Sequence, residues 1–474
     1  MSKWAHNLPR RGFLVGGAGA LATLAASPWL RAADGRREYK LRAAPELFQL
    51  LGTDRPATAV WAFNGAVPGP ELRMKQGEPV RVTVENGLSE GTTVHWHGLR
   101  VPNDMDGVPD VTQKLIGPGE SFVYEFTPPD AGTYWYHPHQ RSHVQVGRGL
   151  FGPLIVEDKE PIAVDRDLTW ILNDWRLNDA AENIDDFGNF DDRFHDGRLG
   201  NTIALNGRRP RAFTVRAGER IRLRLINAAI ARIFALRFED HAPQIIAYDG
   251  QAVKPHAPEK DRVILAPSQR VDLIIDMTGR PGQSFAVTDN FYVALEKEPA
   301  YKLLDIAYGA EPPLRENLGD DPIALAPNPI PEPDIANAQQ LPIVFGGGAL
   351  AHGMIAGAMT GGIDWNINGR SMYEQDHGQK SEPIYTLARN RSYMLRMTNG
   401  TSFYHPIHLH GHSFRVVARE QRLTPLQEWR DSVVMAPGER VDIAFVADNP
   451  GEWMFHCHIL DHQAFGMMAS IRVS

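Results

Sequence analysis

One pattern recurs at the scale of whole domains and limits this chain to a narrow range of folds. KQGEPVRVTVENG returns as RAGERIRLRLINA about 140 residues later. GPGESFVYEFTPPDAGTYWYHPH is echoed near the C-terminus by APGERVDIAFVADNPGEWMFHCH, and APSQRVDLIIDMTGRPGQSFAV is a fainter middle copy. Within the copies polarity alternates. Val80, Val82 and Val84 oppose Arg81, Thr83 and Glu85; Ile221, Leu223 and Leu225 oppose Arg222 and Arg224; Val441, Ile443 and Phe445 repeat the pattern. Period-two alternation bounded by Gly, Pro, Asn and Asp predicts half-buried strands of a sandwich or barrel. The 43 Gly and 35 Pro supply tight turns, and no long amphipathic helical pattern competes. Repetition at this spacing predicts three similar β domains. We divide the mature chain at 36–160, 161–325 and 326–474. The breaks fall near EDKEPIAVDRD and in the Pro-rich GAEPPLRENLGDDPIALAPNPIPEPDIANAQQ, which reads as a surface linker.

Residues 1–35 stand outside that pattern. Arg10 and Arg11 precede Phe13 and Leu14 and a Gly/Ala-rich apolar run. The segment resembles a twin-arginine export signal, which implies the twin-arginine (Tat) machinery as a partner and a periplasmic or secreted destination. The run is too short and too glycine-rich to make a stable membrane anchor. A net charge of -8 offers no electrostatic case for nucleic acid.

A single cysteine, Cys457, excludes an internal disulfide and any multi-cysteine zinc site. It sits in HCHILDH between His456 and His458, with His462 close behind. Of 18 histidines, ten fall in four clusters: His95 and His97; His137 and His139; His405, His408 and His410; His456, His458 and His462. On a strand, residues i and i+2 share a face, so each His-x-His pair aims two imidazoles at one locus. Four such pairs around a lone thiol point to metal. Two imidazoles, a thiolate and a distant methionine make the donor set of a blue-copper electron-transfer site. Cys457, His462 and Met467 supply three members and His405 is the natural fourth. Zinc would need no methionine and could not move electrons.

The repeats align His137, His139 and His143 with His456, His458 and His462, and His95 and His97 with His408 and His410. Pro138 stands where Cys457 stands, Arg148 where Met467 stands, and Thr92 where His405 stands. The first domain thus keeps both His pairs without the mononuclear site, and the middle domain has no pair. Eight histidines, four from each end domain, are left to face one another across an interface.

These four motifs resemble those of the three-domain multicopper oxidases, a family that includes laccases and bacterial cuprous oxidases. The similarity spans essentially the whole mature chain. It implies three consecutive cupredoxin-like Greek-key β-barrel or sandwich domains and four copper ions. By motif, His405, Cys457, His462 and Met467 resemble the type 1 ligands, and His95 and His408 the type 2 ligands. His97, His137 and His458 resemble the ligands of one type 3 copper; His139, His410 and His456 resemble those of the other. His456-Cys457-His458 then becomes a short covalent path between the two centres. The implied reaction takes single electrons from a reducing substrate and reduces O2 to water.

Asp106, in NDMDGVP, occupies the place of a family carboxylate implicated in proton delivery; turn chemistry alone would also explain it. Some relatives carry a Glu directly after the histidine matching His462, where this chain has Gln463, which cannot titrate. Relatives that oxidise Cu(I) have an acidic residue and a methionine at the places of Thr401 and Phe403 and a long Met-rich cover. Here the corresponding stretch holds only His352, Met354, Met359 and Met372. The expected enzyme is therefore laccase-like, monomeric, and active on phenols or aromatic amines, with His462 presenting an open edge. The alternative is a cuprous-ion oxidase in copper tolerance. A copper-free structural relative would not need intact ligands.

Overall fold

A computed structural model describes residues 30–31, 36–292, 300–319, 323–349, 364–374 and 382–474. The expected export signal, apart from the short strand Leu30–Arg31, lies outside the described residues, as do His352, Met354 and Met359. Strands dominate. The α-helices among the described residues are single turns: α1 (Ser142–Gln145), α2 (Phe190–Phe194) and α3 (Leu460–Ala464). None is long and apolar enough to cross a membrane.

Three two-sheet sandwiches follow one another, and the sequence repeat is a repeat of pairing. In each, an opening strand runs parallel to the first repeated motif. Arg37–Phe48 lies beside Val80–Asn86, Arg166–Trp175 beside Arg220–Asn227, and Gln339–Gly346 beside Ser392–Asn399. The second motif then pairs antiparallel with the first, through Ser121–Phe126, Arg270–Asp276 and Arg440–Val446. Each sandwich has its own apolar core. A further cluster, including Trp135, Trp175, Ile226 and Leu460, joins all three.

The histidine motifs lie in the other sheet of the first and last sandwiches, in one shared register. His95 stands opposite His137, and His408 opposite His456. The aligned residues of the two copies are thus cross-strand partners in both. Cys457 stands opposite Ile407, one residue along, so it points to the face away from its histidine neighbours.

Alternation predicted these faces correctly but not what covers them. Val80, Val82 and Val84 are buried, and Arg81, Thr83 and Glu85 are half-buried, as expected. Arg222 and Arg224 do oppose Ile221 and Leu223, yet both are 1% exposed. The first sandwich lies over them. Arg224 donates to Thr133 Oγ1 (2.8 Å) and to Asp167 (2.6 Å), and Arg222 donates to Asp272 (2.8 Å). Thr133 completes the cluster by donating to Asp272 (2.6 Å).

A second buried ion pair ties the middle sandwich to the last. The Arg270 guanidinium is completely buried and grips both carboxylate oxygens of Asp431. It also donates to the backbone carbonyls of Thr133, Asp249 and Ser268 at 3.1–3.2 Å. One side chain thus binds elements of all three sandwiches. Removing one partner of such a pair strands a buried charge, at roughly 3–5 kcal/mol. Arg270→Met should therefore lower the melting temperature sharply in calorimetry, whereas Arg81→Met, at an exposed pair, should leave it nearly unchanged.

Candidate metal centre

The register places cross-strand histidine pairs on two sheets, and the sheets meet face to face. Their rings interleave. His95 stacks on His410 with centroids 3.9 Å apart, and His97 on His408 at 3.8 Å. Three all-histidine groups result, each with ligand atoms within 4.8 Å of one another: His95, His97 and His408; His97, His137 and His458; His139, His410 and His456. All are buried. On the far side of the Cys457 strand lies a fourth group, His405, Cys457 and His462.

Backbone carbonyls set the imidazole tautomers. The Nδ1–H groups of His95, His137, His408 and His456 donate to the carbonyls of Asp106, Pro138, Asp431 and Cys457, all at 2.8–2.9 Å. Each ring is then left with an Nε2 lone pair turned inward. His410 donates from Nδ1 to Asp106 Oδ2 (2.8 Å), which leaves its Nε2 facing His456 Nε2 at 3.0 Å. Two lone pairs at that distance repel. His95 Nε2, His97 Nδ1, His137 Nε2, His408 Nε2 and both ring nitrogens of His458 have no protein partner. Each such buried orphan costs about 1–3 kcal/mol. A cation among them removes the penalty, so the donors fit metal.

The fourth group passes the same test. His405 Nε2 donates to Thr401 Oγ1 (2.7 Å) and His462 Nε2 to the His195 carbonyl (2.7 Å). Both Nδ1 atoms are therefore lone pairs, 3.1 Å apart, at 3.4 and 3.7 Å from Cys457 Sγ. Burial pushes the Cys457 thiol well up, so it is a thiolate only when a cation holds it. The donor set of two imidazoles and one thiolate suits copper. Met467 is buried in the same apolar cluster, and its carbonyl accepts from the Cys457 N–H at 3.1 Å.

The Asp106 turn is built against the His95 strand. Gly107 has φ +81°, and a Cβ there would lie 1.9 Å from the Val94 carbonyl oxygen, so only glycine permits the approach. Asp106 is completely buried, with one carboxylate oxygen on His410 and the other 3.2 Å from His95 Nδ1. Its side chain thus reaches two of the clustered imidazoles.

One expectation is corrected. His462 is completely buried, not open-edged. Its Nε2 is taken by His195, just past α2, and Trp365 packs on its ring at 4.1 Å. Met372 packs with Val108, Met454 and Met468 in a small apolar cluster. In the first sandwich the lost mononuclear site is filled by a hydrogen bond from Thr92 to Gln145 (2.7 Å). His143, which aligns with His462, faces Glu374, 3.7 Å away, and Phe465. Asp461 accepts from the Arg198 N–H at 2.9 Å, and burial raises its carboxyl to about 6.

Sequence reasoning missed Asp431, Ser432, Trp365, His195 and Glu374. Asp431 stands behind His408 and His97, with Oδ1 3.5 and 3.4 Å from their ring nitrogens. These residues share no motif; they join the site only through folding.

Multicopper oxidase family models match residues 49–161, 166–304 and 355–474. The chain belongs to the multicopper oxidase family. It is 30% identical to multicopper oxidase MmcO of Mycobacterium tuberculosis, over 95% of this chain and 90% of that protein. It is 29% identical to Laccase-2 of Botryotinia fuckeliana, over 91% and 81%. A crystal structure of a multi-copper oxidase from Pseudomonas thermotolerans superposes with a TM-score of 0.80 at 33% identity, covering 92% of this chain and 99% of that one. The protein is thus a copper-dependent oxidoreductase that uses O2.

The buried imidazoles give this multicopper oxidase a defined pH response when free of metal. Burial lowers His97, His137, His405, His408, His410 and His458 below the ordinary 6.5, and His462 to about 3. Below pH 6.5 the unfolded chain binds protons that the folded one refuses, so stability falls as pH falls. Melts of copper-free protein should show progressive loss from pH 6.5 towards about 3. Copper loading should delay that loss. A copper-free profile level down to pH 4 would contradict the burial argument.

Proposed function

We propose that this oxidase takes single electrons from phenols or aromatic amines at a type 1 copper and reduces O2 at a three-copper cluster. His405, Cys457 and His462 would hold the first, with Met467 as a further weak donor. His95 and His408 would hold the type 2 ion. His97, His137 and His458 would hold one type 3 ion, and His139, His410 and His456 the other. The observation that supports the assignment is geometric: His97, His137 and His458, His139, His410 and His456, and His405, Cys457 and His462 each converge as the motifs group them, and His95 lies with His408 beside His97. Copper, when bound, supplies one-electron exchange at the mononuclear site and dioxygen reduction at the cluster. The chain supplies the rest. Carbonyls fix the tautomers, Cys457 links the sites through His456 and His458, and Asp106 orients His410 and His95 and can hold a proton beside them.

Three observations favour organic donors over Cu(I). Thr401 is committed to His405, Met372 is in an apolar cluster, and the outward nitrogen of His462 ends on a carbonyl. None offers a soft ligand pair. Beyond His195 the surface carries Phe190, 59% exposed on α2, an aromatic platform for a flat donor. Export by the twin-arginine route to the periplasm or beyond completes the proposal and rests on Arg10 and Arg11 alone.

Cys457→Ser should abolish the intense thiolate-to-copper absorption and oxidase turnover while about three of four coppers remain, since the cluster ligands are untouched. A wild-type protein with full copper and no blue band would overturn the type 1 assignment. Steady-state kinetics with a phenol and with Cu(I) should show phenol turnover without added copper and weak saturation by Cu(I). Tight Cu(I) saturation, with phenols oxidised only when excess Cu(II) is present, would establish the cuprous-oxidase alternative.

A further inference from the structure

A buried carboxylate with no part in ligation sits where α1 meets α3. Glu374 is 5% exposed and follows the short strand Met372–Tyr373, which pairs with Phe465–Gly466 directly after α3. Its Oε1 accepts from both the backbone N–H (2.8 Å) and the hydroxyl (2.5 Å) of Ser142. Ser142 Oγ accepts in turn from Gln463 Nε2 at 3.2 Å. Ser142 and Gln463 are completely buried. Three residues from distant parts of the chain therefore make one hydrogen-bonded thread.

The thread lies close in sequence to the cluster on both sides. Ser142 opens α1 three residues after His139, and Gln463 follows His462 within α3. Gln463 Oε1 is buried and has no protein partner, so it is an acceptor suited to hold a water. His143 Nδ1 lies 3.7 Å from Glu374 Oε2. The charged groups on the neighbouring elements include Asp461, held by the Arg198 backbone, Asp191, Asp192 and Arg193 on α2, the last stacked on Phe465 at 4.0 Å, and Arg141 directly before α1.

Reduction of one O2 to two waters consumes four electrons and four protons. The donors supply electrons; the protons must cross protein, because every candidate ligand is buried. Gln463 is an amide and cannot supply them. We propose that Glu374 is a second proton-relaying carboxyl for this reaction, acting through Ser142 and separately from Asp106's own contacts with His410 and His95. Protonated Glu374 gives its proton to Ser142 Oγ as the Ser142 hydroxyl gives its own to a water held by Gln463. Solvent then reprotonates Glu374. No electron moves, and each passage delivers one of the four protons. Glu374 acts through other groups and is a positioning and relay residue. The inference rests on the ligand assignment proposed above.

Glu374→Gln keeps the acceptor for Ser142 and the shape of the side chain but cannot carry a proton. It should retain full copper, the blue band and an unchanged rate of anaerobic type 1 reduction. Reoxidation by O2 should slow by roughly a hundredfold, the order of a lost proton-transfer group. It should also show a larger solvent isotope effect and an earlier alkaline fall in rate. Glu374→Asp should recover part of the rate. Ser142→Ala, which leaves the carboxyl in place, should reproduce the slow reoxidation. In copper-free protein, the infrared band of a protonated carboxyl should differ between wild type and Glu374→Gln across a pH titration. Unchanged reoxidation and pH profile in fully copper-loaded Glu374→Gln would overturn the proposal. So would a loss of rate no larger than a loss of copper, which would make Glu374 an interdomain latch. Missing copper in the wild type would instead indict the ligand assignment.

Discussion

Everything at the centre of this molecule depends on imidazole lone pairs that the fold aims at one another away from water. Neutral imidazole has one donor and one acceptor nitrogen, and a hydrogen bond to one decides which way the other faces. Here the deciding acceptors are mainly backbone carbonyls: Asp106, Pro138, Asp431, Cys457 and His195. A carbonyl on a strand or tight turn has little freedom, so the tautomers are set by the sheets rather than by mobile side chains. The result is a cluster of inward-facing acceptors that a cation satisfies, with copper affinity written into strand register.

The same register, used twice, gives two different outcomes. His95 opposite His137 and His408 opposite His456 provide equivalent halves of the cluster. One step along the strand, the last sandwich has Cys457 where the first has Pro138. That step flips the side chain to the other face, so a thiolate can serve a separate centre while its neighbours serve the cluster. In the first sandwich the vacated position needs no metal, because the Thr92 hydroxyl and the Gln145 amide satisfy each other. The middle sandwich has no His pairs but is not a spacer. Through Arg270 it holds Asp431, whose backbone carbonyl fixes His408.

Much of this was legible in the chain. The repeats gave the sandwiches, alternation gave the strand faces, and His-x-His spacing gave the pairs of imidazoles that converge, because each is a local pattern with a short period. What stayed hidden involved contacts with no period. Arg222 and Arg224 read as a polar face, and nothing local says that another domain covers it. His462 reads as an exposed edge until Trp365 and the segment after α2 fold over it. Asp431 and Glu374 look like ordinary surface acids in EWRDSVV and SMYEQDH. Their partners lie far along the chain, Arg270 for one and Ser142 for the other.

The covered His462 also bears on donor choice. A Cu(I) ion handing over its electron through ligands needs soft donors beside that ring, and a carbonyl oxygen is a hard one. An organic donor needs only closeness. The His462 N–H ends on the His195 carbonyl, and the His195 ring meets Phe403 edge-on at 5.9 Å. Phe403 also meets Trp365 edge-on at 5.7 Å, and Trp365 packs on His462. An electron arriving near His195 therefore has a hydrogen bond and a chain of aromatic rings leading inward, with no ligand exchange. Discrimination among donors then falls to their potential and to how they sit on the surface around α2. On the laccase-like reading proposed above, such a site would favour flat, oxidisable molecules over the ligand chemistry that singles out a metal ion.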